Sequence, residues 1–226
     1  MSSYRYNIYQ CLNSDCQFRF PARHDWSQRN VCPKCGADLK IVELEHPAQH
    51  VKIPDEPVDG PVVEALLDNI RSSYNVGSMF RAADGAGLKH IHLSGISSTP
   101  DNPKISKTAL GAEYAVPWTQ YADALTAVNI LKNKGYRIWA LEGGERSQPL
   151  FSLVRELSGP PILLAVGNEV SGVDPGILNQ CERIISIPME GYKRSLNVSI
   201  AFGIAVYFLR FGMQIGQHWE RIYLGK

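Results

Sequence analysis

The chain has 226 residues, enough for one substantial core and a small accessory module. Hydrophobic residues make up 44% and charged residues 20%, the balance of a soluble globular protein, and no apolar run approaches the roughly 20 residues that span a bilayer. A formal net charge of +1 excludes a nucleic-acid binder of the strongly basic kind and leaves only a local patch for phosphate contacts. The opening Met-Ser-Ser-Tyr-Arg-Tyr lacks the apolar core of a signal peptide, so the expected address is cytoplasmic, with no membrane partner.

Four of the five cysteines fall within the first 35 residues. Cys11 and Cys16 form a C-x4-C pair, Cys32 and Cys35 a C-x2-C pair, and fifteen residues separate the two. In a reducing compartment this spacing reads as a four-thiolate structural zinc site, with Pro33 and Gly36 shaping the second knuckle. Residues 1–45 are therefore expected to form a zinc ribbon, too short for an ample apolar core and dependent on metal for much of its folding energy. His24 is a conceivable ligand, although a solvated loop histidine is the simpler reading. Arg19, Arg23, Arg29 and Lys34, interleaved with Phe18, Phe20 and Trp26, suit phosphate contact and base stacking. Asp15, Asp25 and Asp38 dilute that charge, and the aromatics equally suit a tiny core, so RNA contact and a structural or protein-contact role both stand.

Residues 46–60 carry Pro47, Pro54 and Pro57, with Pro61 just beyond, and read as an extended linker. From residue 61 to 226 short apolar runs alternate with helical patterns. Strands are expected at Val62–Leu67, Ile91–Leu93, Tyr136–Leu141, Ile162–Val166 and Ile184–Ile187. Helices are expected near Val76–Ala86, Tyr121–Lys134, Leu150–Leu157, Pro175–Gln180 and Val198–Phe211. The alternation predicts an α/β fold with a mainly parallel sheet flanked by helices, and ligands in such sheets gather at the carboxyl ends of the strands.

Three clusters rich in glycine and small polar residues follow predicted strands: Asn69–Gly87, Gly167–Gly172 and Ile187–Ala201. They are expected to share one rim and to build a small-molecule pocket there. A dinucleotide fingerprint is absent, and Gly167-Asn-Glu-Val-Ser-Gly172 lacks the Lys-Ser/Thr pair of a phosphate loop. No nucleophile elbow and no HExxH zinc helix occur. In the first cluster Asn75 is expected to cap a helix, Gly77 to permit close approach, and Arg81 to face the pocket edge about two turns on. The competing reading of that cluster is a capped amphipathic helix with a surface arginine.

The three clusters together resemble motifs 1, 2 and 3 of the SpoU/TrmH branch of the SPOUT methyltransferases. The residues that carry the resemblance are Asn75-Val-Gly-Ser-Met-Phe-Arg81-Ala-Ala, Gly167-Asn-Glu169-Val-Ser-Gly172 and Ile187-Pro-Met-x-Gly-x-x-x-Ser195-Leu-Asn197-Val-Ser-x-Ala201. The match covers roughly Val62 to Phe211 in the family's order. It implies an S-adenosylmethionine-dependent RNA ribose 2′-O-methyltransferase acting on transfer or ribosomal RNA, with a C-terminal trefoil knot and an obligate homodimer. It places Gly167, Ile187, Met189 and Leu196 in the donor pocket, Asn75 and Arg81 at catalytic positions, and Glu169, Ser195 and Asn197 beside the ribose or Arg81. Ala82 and Tyr74 depart from what relatives often carry, and the zinc ribbon lies outside the family's core pattern. The mechanism that follows has Arg81 stabilise the developing alkoxide while an RNA phosphate or Glu169 takes the proton. The alternative is a non-catalytic RNA-binding scaffold that retains the fold.

Overall fold

A computed structural model of the chain describes residues 5–23, 31–47 and 60–224. The chain divides into two compact units, Met1–Val58 and Asp59–Lys226. His24, Asp25, Trp26, Arg29 and most of the proline-rich stretch lie outside the described residues.

In the first unit, β1 (Arg5–Cys11) pairs antiparallel with β2 (Arg19–Arg23) on one side and β3 (Leu39–Pro47) on the other. Alternation along the strands puts Tyr9 opposite both Phe20 and Ile41. The Phe20 ring lies 5.8 Å from Tyr9 and 5.2 Å from Phe18, centroid to centroid. Tyr9 is buried, so this aromatic stack is the unit's small core.

The second unit is built on β4 (Val63–Asp68), β5 (Ile91–Ser94), β6 (Trp118–Tyr121), β7 (Arg137–Leu141), β8 (Gln148–Pro149), β9 (Ile162–Val166) and β10 (Arg183–Ser186). Their order across the sheet is β6-β5-β4-β9-β7-β10-β8, and every pairing is parallel. The central strand β9 is buried along its whole length, as a near-continuous apolar run predicts for a parallel strand covered on both faces. One face of the sheet carries Val63, Ala65 and Leu67 against α1 (Ser73–Ala86) and α6 (Val198–Leu224). The other carries Leu66, Leu163 and Ala165 against α4 (Ala124–Asn133) and α5 (Pro175–Leu178). Among the described residues no helix is long and apolar enough to cross a membrane.

Several local expectations are corrected. Ser72, not Asn75, caps α1: its side chain accepts from the Asn75 N–H, and the helix begins three residues earlier than the apolar pattern suggests. The segment 121–134 splits, because β6 ends at Tyr121 and Asp123 caps α4 through the N–H groups of Leu125 and Thr126. Leu150–Glu156 is a 3-10 helix, too short to present an α-helical stripe. Two short helices were not expected, α2 (Pro103–Ala109) and α3 (Ala112–Ala115).

The apolar side of α1 consists of Val76, Met79, Phe80, Ala83 and Ala86, spaced to face the sheet once per turn. Gly77 lies beside them, and a Cβ there would collide with Thr108 Oγ1 and the Ile105 carbonyl of α2. The backbone carbonyl cannot yield as a side-chain end would. Gly77→Ala is therefore expected to push α2 off α1 and destabilise the unit by about 1–3 kcal/mol. Thermal unfolding checks this, and an unchanged melting temperature contradicts the packing described.

Candidate active site

Parallel strands deliver their following loops to one rim. There the structure has a cleft of about 430 Å³, within the size range of small-molecule sites. Its wall comes from Leu141, Glu142 and Gly143 after β7, from the loop Val166–Gly172 after β9, and from the segment running from Ser186 into Ala201 of α6. Gly167, Ile187, Met189 and Leu196 all line it, as do Glu169, Ser195 and Asn197. Ile187 and Leu196 supply apolar surface, and Gly167, itself buried, lines the floor with backbone alone. A Cβ on Gly167 would strike the Gly172 and Val173 backbone, so only glycine permits this tight return.

The Gly167–Gly172 loop is fixed from three sides. Asn168 Oδ1 accepts from the N–H groups of Val170 (2.9 Å) and Ser171 (3.2 Å), while its Nδ2 donates to the Asn69 carbonyl (2.8 Å). Asn69 itself is left-handed, φ 55°, a conformation asparagine tolerates, and its Oδ1 accepts from Ile96 N–H. Glu142 Oε2 accepts from Val173 N–H at 2.9 Å. Neither Asn168 nor Glu142 was picked out from the sequence. The signal for Glu142 was an acidic residue immediately after a buried strand and before Gly143.

Glu169 is the junction of the site. Its Oε2 accepts from Arg71 N–H at 2.8 Å, and its Oε1 accepts from Ser72 N–H at 3.1 Å and from Asn75 Nδ2 at 2.9 Å. Asn75 Oδ1 in turn accepts from Asn197 Nδ2 at 3.1 Å. Asn197 Oδ1 accepts from the Ser199 N–H (2.9 Å) and hydroxyl (2.7 Å), capping α6. One hydrogen-bonded path thus joins all three clusters. Partial burial raises the Glu169 carboxyl pKa, but the donors from Arg71, Asn75 and Ser72 outweigh it and hold the group below its ordinary value. That setting makes Glu169 a brace between the loops it joins.

Ser195 lines the cleft with no hydrogen-bond partner among the described residues. Arg81 stands apart. It is exposed on α1, does not line the cleft, and makes no hydrogen bond or ion pair with the described residues. Gly85, one turn on, closely approaches the Tyr207 hydroxyl, so this side of α1 borders α6.

In the first unit the sulfurs of Cys11, Cys16, Cys32 and Cys35 all lie within 4.8 Å of one another. The Cys11–Cys35 separation is 3.5 Å and Cys16–Cys32 is 3.8 Å. A tetrahedral ion with bonds of about 2.3 Å sets its sulfurs about 3.8 Å apart, so the set fits zinc. Lys34 N–H donates to Cys32 Sγ at 3.4 Å. Burial opposes ionisation of Cys32, yet N–H donors from Lys34 and Cys35 and the neighbouring thiols bring it down to about 7.

Residues 63–207 match the SpoU rRNA methylase family. The 23S rRNA (guanosine(2553)-2′-O)-methyltransferase RlmP of Bacillus subtilis is 30% identical over 175 residues, which cover 75% of this chain and 68% of that protein. The 23S rRNA (guanosine-2′-O-)-methyltransferase RlmB of Vibrio parahaemolyticus is 32% identical over 143 residues, 63% of this chain and 56% of the relative. Among solved structures, the AdoMet-bound rRNA methyltransferase of Sinorhizobium meliloti superposes with a TM-score of 0.62 at 25% identity, covering 70% of this chain and 59% of that one. The chain thus spans between about half and two thirds of the length of these relatives. The parallel seven-stranded sheet with helices on both faces matches SpoU/TrmH structures, among them the TrmH/SpoU tRNA modifying enzyme of A. aeolicus, with a TM-score of 0.60 at 24% identity over 69% of this chain and 77% of that one. A family match that spans the sheet and all three loops of the cleft leaves one assignment: the chain belongs to the SpoU rRNA methylase family.

Proposed function

We propose that this protein transfers a methyl group from S-adenosylmethionine to a ribose 2′-oxygen of RNA, with ribosomal RNA favoured by the activities for which RlmP and RlmB are named. The observation that carries the reading is the path Asn197–Asn75–Glu169, which gathers three sequence-distant loops at the mouth of a cleft lined by Gly167, Ile187 and Leu196. The same residues fit the donor: apolar surface at Ile187 and Leu196 for its adenine and methionine carbons, and small polar groups at Ser195 and Asn197 for its polar edges. When bound, the donor supplies an activated methyl on a sulfonium. The chain's own work is to orient the ribose and to stabilise charge on its oxygen.

Asn75 and Asn197 fix the geometry of the acceptor side, and Ser195 offers a free hydroxyl to the ribose. Arg81 is the electrostatic partner of the developing alkoxide, since a guanidinium keeps its proton and acts by charge and hydrogen bonding. With the Glu169 oxygens already engaged, an RNA phosphate is the remaining proton acceptor. Lys193 and Arg194 follow the exposed Tyr192 in the loop that borders the cleft, a pairing of charge and ring suited to RNA. Homodimerisation belongs to the same reading. Tyr74, Ile200 and Tyr207 are 46–55% exposed on α1 and α6, an apolar surface next to the Arg81 side of the helix, and a second copy seated there brings Arg81 to a cleft. The strand order, with β9 entering between β4 and β7 and β10 returning beyond β7, accords with the family's knot. A structural zinc in the ribbon and a cytoplasmic location complete the proposal.

Arg81→Ala is expected to leave donor affinity unchanged and to lower methyl transfer to unmodified rRNA by a hundredfold or more, on the order of an oxyanion-hole donor. Arg81→Lys recovers only part, because it keeps the charge and loses the fork. Near-normal turnover in Arg81→Ala, or a light-scattering mass of one chain in the active preparation, contradicts the assignment.

Glu169→Gln replaces an acceptor-only group by an amide whose nitrogen faces an N–H donor, and a loss of about tenfold to a hundredfold in kcat/KM is expected. The sign of the pH dependence follows from the lowered carboxyl pKa. The bracing is intact at neutral pH and through pH 5, and fades only as the pH falls below the ordinary glutamate value of about 4.3. Loss of donor affinity between pH 7 and 5 in the wild type, absent from Glu169→Gln, is the contrary result.

Metal analysis of the purified chain is expected to find one zinc per chain. Chelation, or Cys32→Ser, is expected to unfold the first unit and leave the donor cleft able to bind. A chain without zinc whose first unit still unfolds cooperatively on heating contradicts the zinc assignment.

A further inference from the structure

Beside the donor cleft lies a second, smaller crevice lined by Arg71, Ser72 and Glu169. Glu169 lines both, so the two adjoin at that residue. Arg71 is exposed, and its guanidinium makes no hydrogen bond or ion pair with the described residues. Its backbone is not free: Glu169 Oε2 holds Arg71 N–H at 2.8 Å, and Oε1 holds Ser72 N–H at 3.1 Å. The result is a long cationic side chain rooted on a fixed backbone at the lip of the cleft.

Charge decides what this arrangement takes. The Glu169 carboxylate is the one anion lining the crevice, and its oxygens are already engaged by three N–H donors, two of them backbone. The first turn of α1 carries no acidic residue, so the helix end beyond Ser72 adds positive potential. An arginine with no protein carboxylate to pair with matches a phosphodiester, which its planar fork contacts through two oxygens. Asn75 and Asn197 set the acceptor side one residue contact away, at the other side of Glu169.

We propose that Arg71 grips an RNA phosphate next to the reactive ribose, and so fixes the strand's register over the donor cleft. The inference rests on the RNA-methylating reading above and names the group that seats the substrate. Arg71 is a substrate-positioning residue, distinct in task from Arg81: it acts on binding and register, and Arg81 on the charge that forms in the transition state.

The test is the salt dependence of RNA binding. Binding of an unmodified, fluorescently labelled 23S rRNA transcript is measured from about 50 to 200 mM salt for the wild type, Arg71→Ala and Arg71→Lys. One lost phosphate contact makes the slope of log K against log salt shallower by about 0.7–0.9. Arg71→Ala is expected to show that change together with a raised KM for RNA and an unaltered donor affinity. Arg71→Lys, which keeps the charge, is expected to retain the wild-type slope while losing part of the affinity through the missing fork. An unchanged slope in Arg71→Ala overturns the proposal. So does a fall in its donor affinity, which marks Arg71 as a brace of the cleft. Methyl transfer by the wild type to the same transcript is followed in parallel. If no ribose is methylated but the Arg71→Ala slope still falls, the catalytic reading fails and the phosphate contact stands. If the wild type does not bind RNA, both fall together.

Discussion

Glu169 carries the constraint on which the site depends. It accepts hydrogen bonds from residues 94 to 98 positions away in the chain, and the Asn75 it holds is joined to Asn197 over a further 122. Each of these loops has conformational freedom that must be surrendered for a cleft to exist. The sheet does part of this by delivering the loops after β4, β9 and β10 to one rim. That brings them near each other and leaves their local shape open. A carboxylate is suited to the remaining step, because it accepts several N–H groups at once and its bonds are charge-assisted. The same bonding explains why its proton affinity falls.

The position of β9 explains how so short a loop meets this demand. Lying between β4 and β7, β9 has every residue buried, so the start of its loop has no latitude. Gly167 turns back against Gly172, Asn168 fastens the turn to Asn69, and Glu142 takes the Val173 N–H from the β7 side. Glu169 is therefore presented from a rigid base toward the start of α1. The N–H donors offset the cost of keeping that carboxylate ionised, and the cationic side chains of Arg194 and Arg71 line the two crevices that meet at Glu169.

Much of this was legible from residues alone, and the gaps have definite causes. The buried parallel strands announce themselves as apolar runs, and Ile162–Val166 is found with the expected limits. The edge strand Trp118–Tyr121 is half exposed and has no such run, so it goes unseen in the sequence, with only its last residue falling inside the expected helix. Helix α2 has seven residues, fewer than a periodic stripe needs, and its one signal was the pair Asn102-Pro103, a cap followed by proline at the first turn. The start of α1 was misplaced because Ser72, Ser73 and Asn75 are all good caps. Only the clasp of Glu169 on the Ser72 backbone selects among them, and that is a contact local propensity cannot see. For Arg81, periodicity fixes its place on the helix. Which neighbour that side meets depends on α6, more than a hundred residues later, and the structure sets it beside α6 and away from this chain's cleft.

The ribbon gives a second instance of a geometry imposed from outside local preference. In each knuckle the residue after the last cysteine is left-handed: Gly36 with φ 77°, and Gln17 with φ 47°. Glycine adopts that conformation without strain, whereas glutamine does so only where its surroundings enforce it. Gln17 is held by its own Nε2 donating to the Ser14 carbonyl and by Gln10 Nε2 donating to the Gln17 carbonyl, both at 2.8 Å. Beside that turn Cys16 Sγ lies 3.8 Å from Cys32 Sγ, an approach the order of the residues alone does not require. Two features that suggested nucleic-acid contact are meanwhile engaged within the unit. Arg19 pairs with Glu43 at 2.9 Å, and Phe20 stacks on both Phe18 and Tyr9. Phe20 thus joins the unit's small core, and the charge proposed to meet phosphate lies at the cleft, on Arg71, in a loop whose backbone the fold has already fixed.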